Sequence, residues 1–345
     1  MSKNPEKILV IRLSALGDVA MVIPVLYPIC LSNPHRNFTI ITSPMAAELF
    51  IDLPKNLEVI KIDTKREYKG IKGIFSLFKR LRKQRYSAVA DLHDVLRSKI
   101  LSLLFRLVGV KVVEIDKGRA EKRAITADNK TIFKQLKTSF ERYAEVFEKL
   151  GLKSNQEFDP FEAPTSLPDF INTSNEKLLS IGVAPISKHQ GKNYPLQKMK
   201  EVVDSLVKSG KYRVFLFGSP LDGEILDGWQ DKEGRVVSLC NRKLGLKKEM
   251  SVIKTLSLMV SMDSANMHIA SLMGVPTISI WGATHPYTGF LGWGLTQDSV
   301  VEREDLPCRP CSVFGNKPCR LGDYPCLNID VDYIVNRIEN HIKEV

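Results

Sequence analysis

The chain has 345 residues, 43% hydrophobic and 26% charged, a balance that excludes wholesale disorder and a fibrous repeat and favours two domains. No apolar run reaches the roughly 18 residues of a membrane-spanning helix, and Ile8–Ile11 stops at Arg12, too soon for a signal peptide; a cytoplasmic protein is expected, its six cysteines thiols or metal ligands rather than a disulfide framework. The net charge of +11 is lopsided, with 29 basic and 19 acidic residues in Met1–Pro164 against 21 and 20 in the remainder, which calls for an anionic partner: nucleic acid, a membrane surface or a phosphorylated substrate.

Ile8–Leu13 is short, apolar and β-branched, as a buried parallel strand should be. Leu13 to Asp18 (LSALGD) turns the chain into a helical stretch beginning near Val19. Strand-like segments recur at Phe38–Thr42, Leu57–Ile62, Ala88–Leu92 and Val110–Ile115, with helical patterns between them. Phe158 to Asn175 contains three prolines among Ser, Thr and Asn and reads as a linker, placed at 161–176. The alternation restarts at Leu178–Ala184, Tyr212–Phe217, Val236–Leu239, Leu258–Asp263 and Thr277–Trp281. Alternating strands and helices predict two α/β domains with parallel sheets, 1–160 and 177–328, and a ligand cleft at the carboxyl ends of their strands.

Familiar catalytic signatures are missing. There is no Gly-x-Gly-x-x-Gly after a strand, no P-loop, no His-Glu-x-x-His and no Gly-x-Ser-x-Gly. Three weaker constellations remain. Gly17-Asp18 ends the first strand, where Gly17 permits a tight turn and the Asp18 carboxylate can accept a proton from a bound hydroxyl; equally, Asp18 can simply cap the next helix. Asp263-Ser264-Ala265-Asn-Met-His268 runs from a strand into a small-residue helix, whose first-turn N–H groups suit a diphosphate. The alternative is an N-cap followed by a buried, satisfied histidine. Ser187 to Pro195 is a polar loop in which Lys192 can neutralise a leaving diphosphate or merely be solvated.

Taken together and in this order, these elements resemble glycosyltransferase family 9, the ADP-heptose:lipopolysaccharide heptosyltransferases. The resemblance rests on Gly17-Asp18 with Pro24 in the following helix and on Lys192-Asn-Tyr194-Pro195. It rests also on Asp263-Ser264-Ala265-Asn-Met-His268 leading to Gly274-Val-Pro276, and on Trp281-Gly-Ala-Thr284-His285-Pro286. It spans Ile8 to about Pro286, departing at Ala265, where the family has glycine, and at His285, where it has Asp. It implies a GT-B fold, two facing Rossmann-like domains with a central cleft, and a C-terminal helix within 329–345 that returns to the first domain. It implies an inverting, metal-independent transfer of heptose or a similar sugar from a nucleotide-diphosphate donor, ADP-heptose by family, to a lipopolysaccharide core or lipid A-type acceptor. By position Asp18 is then the general base. Lys192 holds the diphosphate, Asp263, Ser264, the Ala265 amide and His268 bind the donor, and Ser187 and Glu224 face phosphate and ribose.

The basic first half then meets an acidic glycolipid. Gly17, His93, Arg97, Lys117, Arg119 and Arg123 are candidates for acceptor contacts. Lys61–Arg85 holds ten Lys/Arg and two acids. Within it Ile71, Ile74, Phe75, Phe78 and Leu81 fall on one helical face, which suits an anionic inner-leaflet surface or a core-packing helix with a solvated back. A monomer attached peripherally to the cytoplasmic face of the inner membrane is expected. Cys308, Cys311, Cys319 and Cys326 crowd a turn-rich segment as a structural zinc set or as reduced thiols; catalysis needs no cofactor beyond the donor. Two other readings are a nucleotide-sugar epimerase or hydrolase on the same fold and a basic nucleic-acid-binding protein. The second is disfavoured because Phe75 and Phe78 suit a helix face better than a stacking platform.

Overall fold

The structure is a computed structural model and describes residues 6–171 and 178–343. The end of the expected linker, residues 172–176, lies outside the described residues. The first stretch holds β1 (Lys7–Ile11), α1 (Leu16–Ala20), α2 (Ile23–Ser32), β2 (Asn37–Thr42), β3 (Leu57–Lys61), α3 (Gly70–Arg82), β4 (Ala88–Asp91), α4 (Leu96–Leu107), β5 (Lys111–Glu114), α5 (Arg119–Ile125) and α6 (Ser139–Lys149). The second holds β6 (Leu179–Ala184), α7 (Leu196–Lys208), β7 (Tyr212–Leu216), α8 (Gly223–Asp227), β8 (Val236–Ser238), α9 (Leu246–Lys254), β9 (Leu258–Met262), α10 (Ala265–Leu272), β10 (Thr277–Trp281), β11 (Val300–Glu302) and α11 (Val331–Lys343). Two compact units result. One comprises Met1–Gly118 with Lys137–Asp159, and the other Arg119–Leu136 with Pro160–Val345.

In the first unit five parallel strands lie in the order β3-β2-β1-β4-β5. Leu9, Ile11 and Val89 pack beneath Leu77, Phe78 and Leu81 of α3 and Leu101 and Phe105 of α4, each such side chain contributing about 1.5–3 kcal/mol by leaving water. Phe78 and Phe105 meet edge-on at 5.1 Å between ring centroids, the geometry the ring quadrupoles favour. The helical stretch after β1 is two helices rather than one. Pro24 has no N–H to give to Ala20, so α1 ends and α2 begins with that proline in its first turn.

The second unit has six parallel strands in the order β11-β10-β9-β6-β7-β8. All ten strands read from the sequence are present; β11, only three residues long, gave no pattern to read. Within the second unit α11 packs on α7 and sinks Ile334 and Ile338 into the core formed by Val202, Leu206 and Val260. Its apolar stripe is matched to that groove, and Lys211 pairs with its Glu339 at 3.4 Å.

Each sheet has one place where the chain reverses its direction of growth, between β1 and β4 in the first and between β6 and β9 in the second. The carboxyl ends of those strand pairs are where open parallel sheets receive ligands. Among the described residues no helix is long and apolar enough to cross a membrane.

Candidate functional site

At the first reversal, β1 runs into Arg12, Ser14 and α1, and β4 into Asp91 and His93. Asp18 sits in the first turn of α1 and accepts the Ala15 N–H at 3.2 Å, which closes the helix start. The same Oδ2 pairs with Arg12 Nη2 at 2.6 Å. Both roles foreseen for Asp18 are therefore open at once: the carboxylate caps the helix yet keeps nearly a third of its side chain exposed. Arg12 is buried; its Nη1 donates to the Leu92 carbonyl at 2.6 Å, and the Tyr143 ring lies 5.8 Å from its charge. Burial works against that charge, but Tyr143 and Asp18 outweigh it and hold the guanidinium protonated. Gly17 lies inside α1 without the positive φ that a tight turn would demand. It is helical because the turn is made earlier, at Leu13–Ala15.

The β4 end is built around Asp91, which is fully buried. It accepts the N–H groups of His93 at 2.8 Å and Asp94 at 3.0 Å and the Ser102 hydroxyl at 3.1 Å. Burial raises its pKa and these bonds partly offset the rise. The loop they hold presents His93 Nε2 to the Ser14 hydroxyl at 3.4 Å. Burial first, then the charges of Arg12, Lys117 and Arg97, drive the His93 pKa down to about 3, so the ring is neutral at physiological pH. Lys117 reaches the same loop through the Asp94 carbonyl at 3.3 Å. His93, Arg97 and Lys117 thus gather with Asp18. Arg119 and Arg123 ride on α5, which belongs to the second unit, the chain leaving the first after Gly118.

At the second reversal, β6 leads into the Ser187–Tyr194 loop and β9 into Asp263 and α10. Lys192 Nζ pairs with Asp263 Oδ2 at 2.8 Å, both side chains largely buried. Asn193 folds the loop back on itself, accepting the Ser187 N–H and hydroxyl, each at 2.7 Å. Ser187 is thereby occupied in shaping the loop. Tyr194 is completely buried and donates to the Ile329 carbonyl at 2.8 Å, which pins the base of Lys192. Ser264 occupies the N-cap position of α10 but makes no side-chain cap; its hydroxyl meets that of Ser261 at 3.1 Å. The first-turn amides from Ala265 onward are therefore unclaimed by any side-chain cap, beside a lysine. His268 is buried one turn further along. Glu224 stands exposed in the first turn of α8, just past the carboxyl end of β7.

Several participants were invisible to motif reading. Gly191, Gly282 and Gly315 bring three loops into backbone contact: Gly191 donates to the Gly315 carbonyl at 3.1 Å and accepts from Ala283 at 2.7 Å. A methyl on Gly191 would meet the Gly315 oxygen at 2.8 Å, and one on Gly315, whose φ is +70°, would meet the Lys192 stem at 2.6 Å. The cysteine-rich segment therefore supports the Lys192 loop. Of the two readings of that segment, a structural zinc set and reduced thiols, the first finds no support. Among the described residues no group of three or more His, Cys, Asp or Glu side chains is placed to hold a metal, and burial, aided by neighbouring cysteines, raises the Cys311 and Cys326 thiols above their ordinary value. His285 caps the short turn that follows it, its Nδ1 accepting the Tyr287 N–H at 3.1 Å.

Comparison with known proteins bears on the family and the fold. Residues 74–321 match the family model of glycosyltransferase family 9 (heptosyltransferase). The lipopolysaccharide core heptosyltransferase OpsX of Haemophilus influenzae is 25% identical over 303 residues, covering 83% of this chain and 81% of that protein. A family 9 glycosyl transferase from Veillonella parvula superposes with a TM-score of 0.77 at 19% identity, over 100% of this chain and 99% of the other. The heptosyltransferase WaaC of E. coli, solved with ADP, gives 0.65 at 20% identity over 97% and 99%. The fold is GT-B, with its two parallel-sheet α/β domains. The match covers well over half of the sequence, and the chain belongs to glycosyltransferase family 9, the heptosyltransferases.

Proposed function

We propose that this glycosyltransferase moves heptose from ADP-heptose to a lipopolysaccharide core or lipid A-type acceptor, as a monomer, with inversion and without a metal. The named relatives support the sugar and the acceptor class. The chemistry is supported chiefly by the pairing of Lys192 with Asp263 at the β6/β9 reversal, next to a helix start that lacks a side-chain cap. A diphosphate placed there meets a cation and first-turn amides of α10, and Asp263 is left to orient sugar hydroxyls. Ser264, the Ala265 amide and His268 complete the donor set, and Glu224 supplies a carboxylate at the end of the neighbouring strand.

On the first unit Asp18 takes the proton of the acceptor hydroxyl while Arg12 fixes the carboxylate's orientation. The resulting oxygen attacks the anomeric carbon from the face opposite the leaving group. The bond to the distal phosphate of ADP breaks, and Lys192 with the α10 amides receives the charge that develops on that phosphate. His93, Arg97 and Lys117 bind acidic groups of the acceptor. The basic first half favours an acceptor displayed at the cytoplasmic face of the inner membrane.

ADP release with a water-soluble, deacylated acceptor tests the reading. Asp18→Asn should lower kcat by about 100-fold or more while ADP affinity by calorimetry stays within about twofold. Lys192→Met should weaken ADP binding about tenfold or more, in keeping with the loss of a charge-assisted contact. Unchanged turnover in the first variant, or unchanged affinity in the second, would remove the corresponding role. Activity that survives a chelator and an inverted anomeric proton in the product would complete the assignment.

A further inference from the structure

The outer face of α4 is apolar where a solvated helix should be polar. Its inward side buries Leu101 and Phe105, with Leu104 packed against the same core. On the opposite side Leu96, Leu103 and Leu107 are 78%, 52% and 73% exposed, with half-buried Ile100 completing an i, i+4, i+7, i+11 stripe along one edge of the cylinder. The neighbouring α3 repeats the feature. Ile74, Leu77, Phe78 and Leu81 go inward, while Ile71 and Phe75, read from the sequence as part of the same face, are exposed. They are joined on that side by Lys79 and Arg82.

The charge pattern says what these exposed residues face. Neither helix contains an acidic residue. Arg80, Lys99 and Arg106 have carboxylate partners from other elements, Glu67, Asp94 and Glu114. Lys72, Lys79 and Arg82 make no ion pair among the described residues. A second copy of this surface would bring like charges together around the leucine stripe, which disfavours self-association. A polyanionic sheet with an apolar interior satisfies both parts of the pattern: leucines enter the boundary of the acyl chains while the lysines and arginines meet headgroups.

We infer that the α3–α4 layer is a membrane-docking surface whose partner is an anionic phospholipid bilayer, with Leu96, Leu103 and Leu107 as the inserted edge. The purpose of such docking rests on the glycolipid-acceptor reading above, but its test does not. The full chain, without donor or acceptor, is floated with phosphatidylglycerol–phosphatidylethanolamine vesicles and with phosphatidylcholine vesicles. It should bind the first and not the second. Leu103→Glu/Leu107→Glu should reduce partitioning about tenfold or more, and Lys72→Gln/Lys79→Gln/Arg82→Gln should reduce it about fivefold for each charge removed. Both variants should retain transfer to the deacylated acceptor, which shows that they are folded. If one variant does not fold, the other decides. Failure of the wild type to bind anionic vesicles, or undiminished binding by a folded variant, overturns the inference. So does a dimer in analytical ultracentrifugation that the leucine variant dissociates while vesicle binding is unaltered. Absence of transfer with vesicle binding intact would instead count against the proposed function alone.

Discussion

Arg12 is the residue on which the first half of the site turns. It is buried, yet its charge is met on one side by Asp18 and on the other by the Leu92 carbonyl, so it ties the end of β1 to the end of β4. Arg12→Ala leaves a carboxylate and a carbonyl without their shared partner, and loss of about 3 kcal/mol is expected in urea unfolding. Arg12→Lys restores the charge but cannot reach both oxygens with one ammonium. It should recover most of the stability while kcat remains depressed, which separates positioning from folding. His93 offers a pH signature. Folding lowers its pKa to about 3, so between that value and the unfolded value of about 6.5 the unfolded chain binds a proton that the native state does not. Stability should therefore rise with pH across this window and be lost as pH falls through it, with a slope of up to about 1.4 kcal/mol per pH unit. His93→Gln should flatten that slope in urea titrations at a series of pH values. An unchanged slope would show that another group carries it, His285 being the alternative because burial lowers its pKa to about 4.

At the level of elements, the donor loop depends on three glycines at which backbones touch. Gly191→Ala forces a methyl against the Gly315 carbonyl and the Ala283 side chain at 2.8 and 3.0 Å, and neither is the free end of a flexible chain. The loop should shift, weakening ADP binding about tenfold and destabilising by about 1–3 kcal/mol; an unaffected calorimetric titration would show that the loop adapts. The sequence made the frame readable because a buried parallel strand leaves a short run rich in β-branched residues, as in β1 and β10, and because Asp18 and Lys192 stand in the segments that follow a strand and Asp263 directly after one. It hid what depends on distant approach. Arg12 looked like a strand terminator and Gly315 like turn filler among cysteines. Each is defined by a partner far away in the chain, and local periodicity carries no trace of it. On α3, helical periodicity correctly identified the apolar residues but could not divide them between core and surface.

Over the whole molecule, the positive charge belongs to the half that carries Asp18 and His93. Attraction for an acidic acceptor should weaken as salt shortens the screening length from about 10 Å at 0.1 M to about 3 Å at 1 M. The acceptor KM should accordingly climb with ionic strength. Donor affinity should change far less, because it relies on the buried Lys192 pair. Parallel increases in both would mean that the asymmetry has no part in substrate choice. The chain's route has a separate consequence for dissecting the protein. Residues 119–136 are encoded between pieces of the first unit but fold with the second, where Lys122 covers the Phe290 ring at 4.0 Å and Phe133 lies against His285 and Tyr287. A fragment cut at Pro160 would be born with those aromatic surfaces bare. The two halves are thus separate in architecture but not severable with one pair of scissors, and an isolated donor domain would have to carry this inner stretch grafted back onto it.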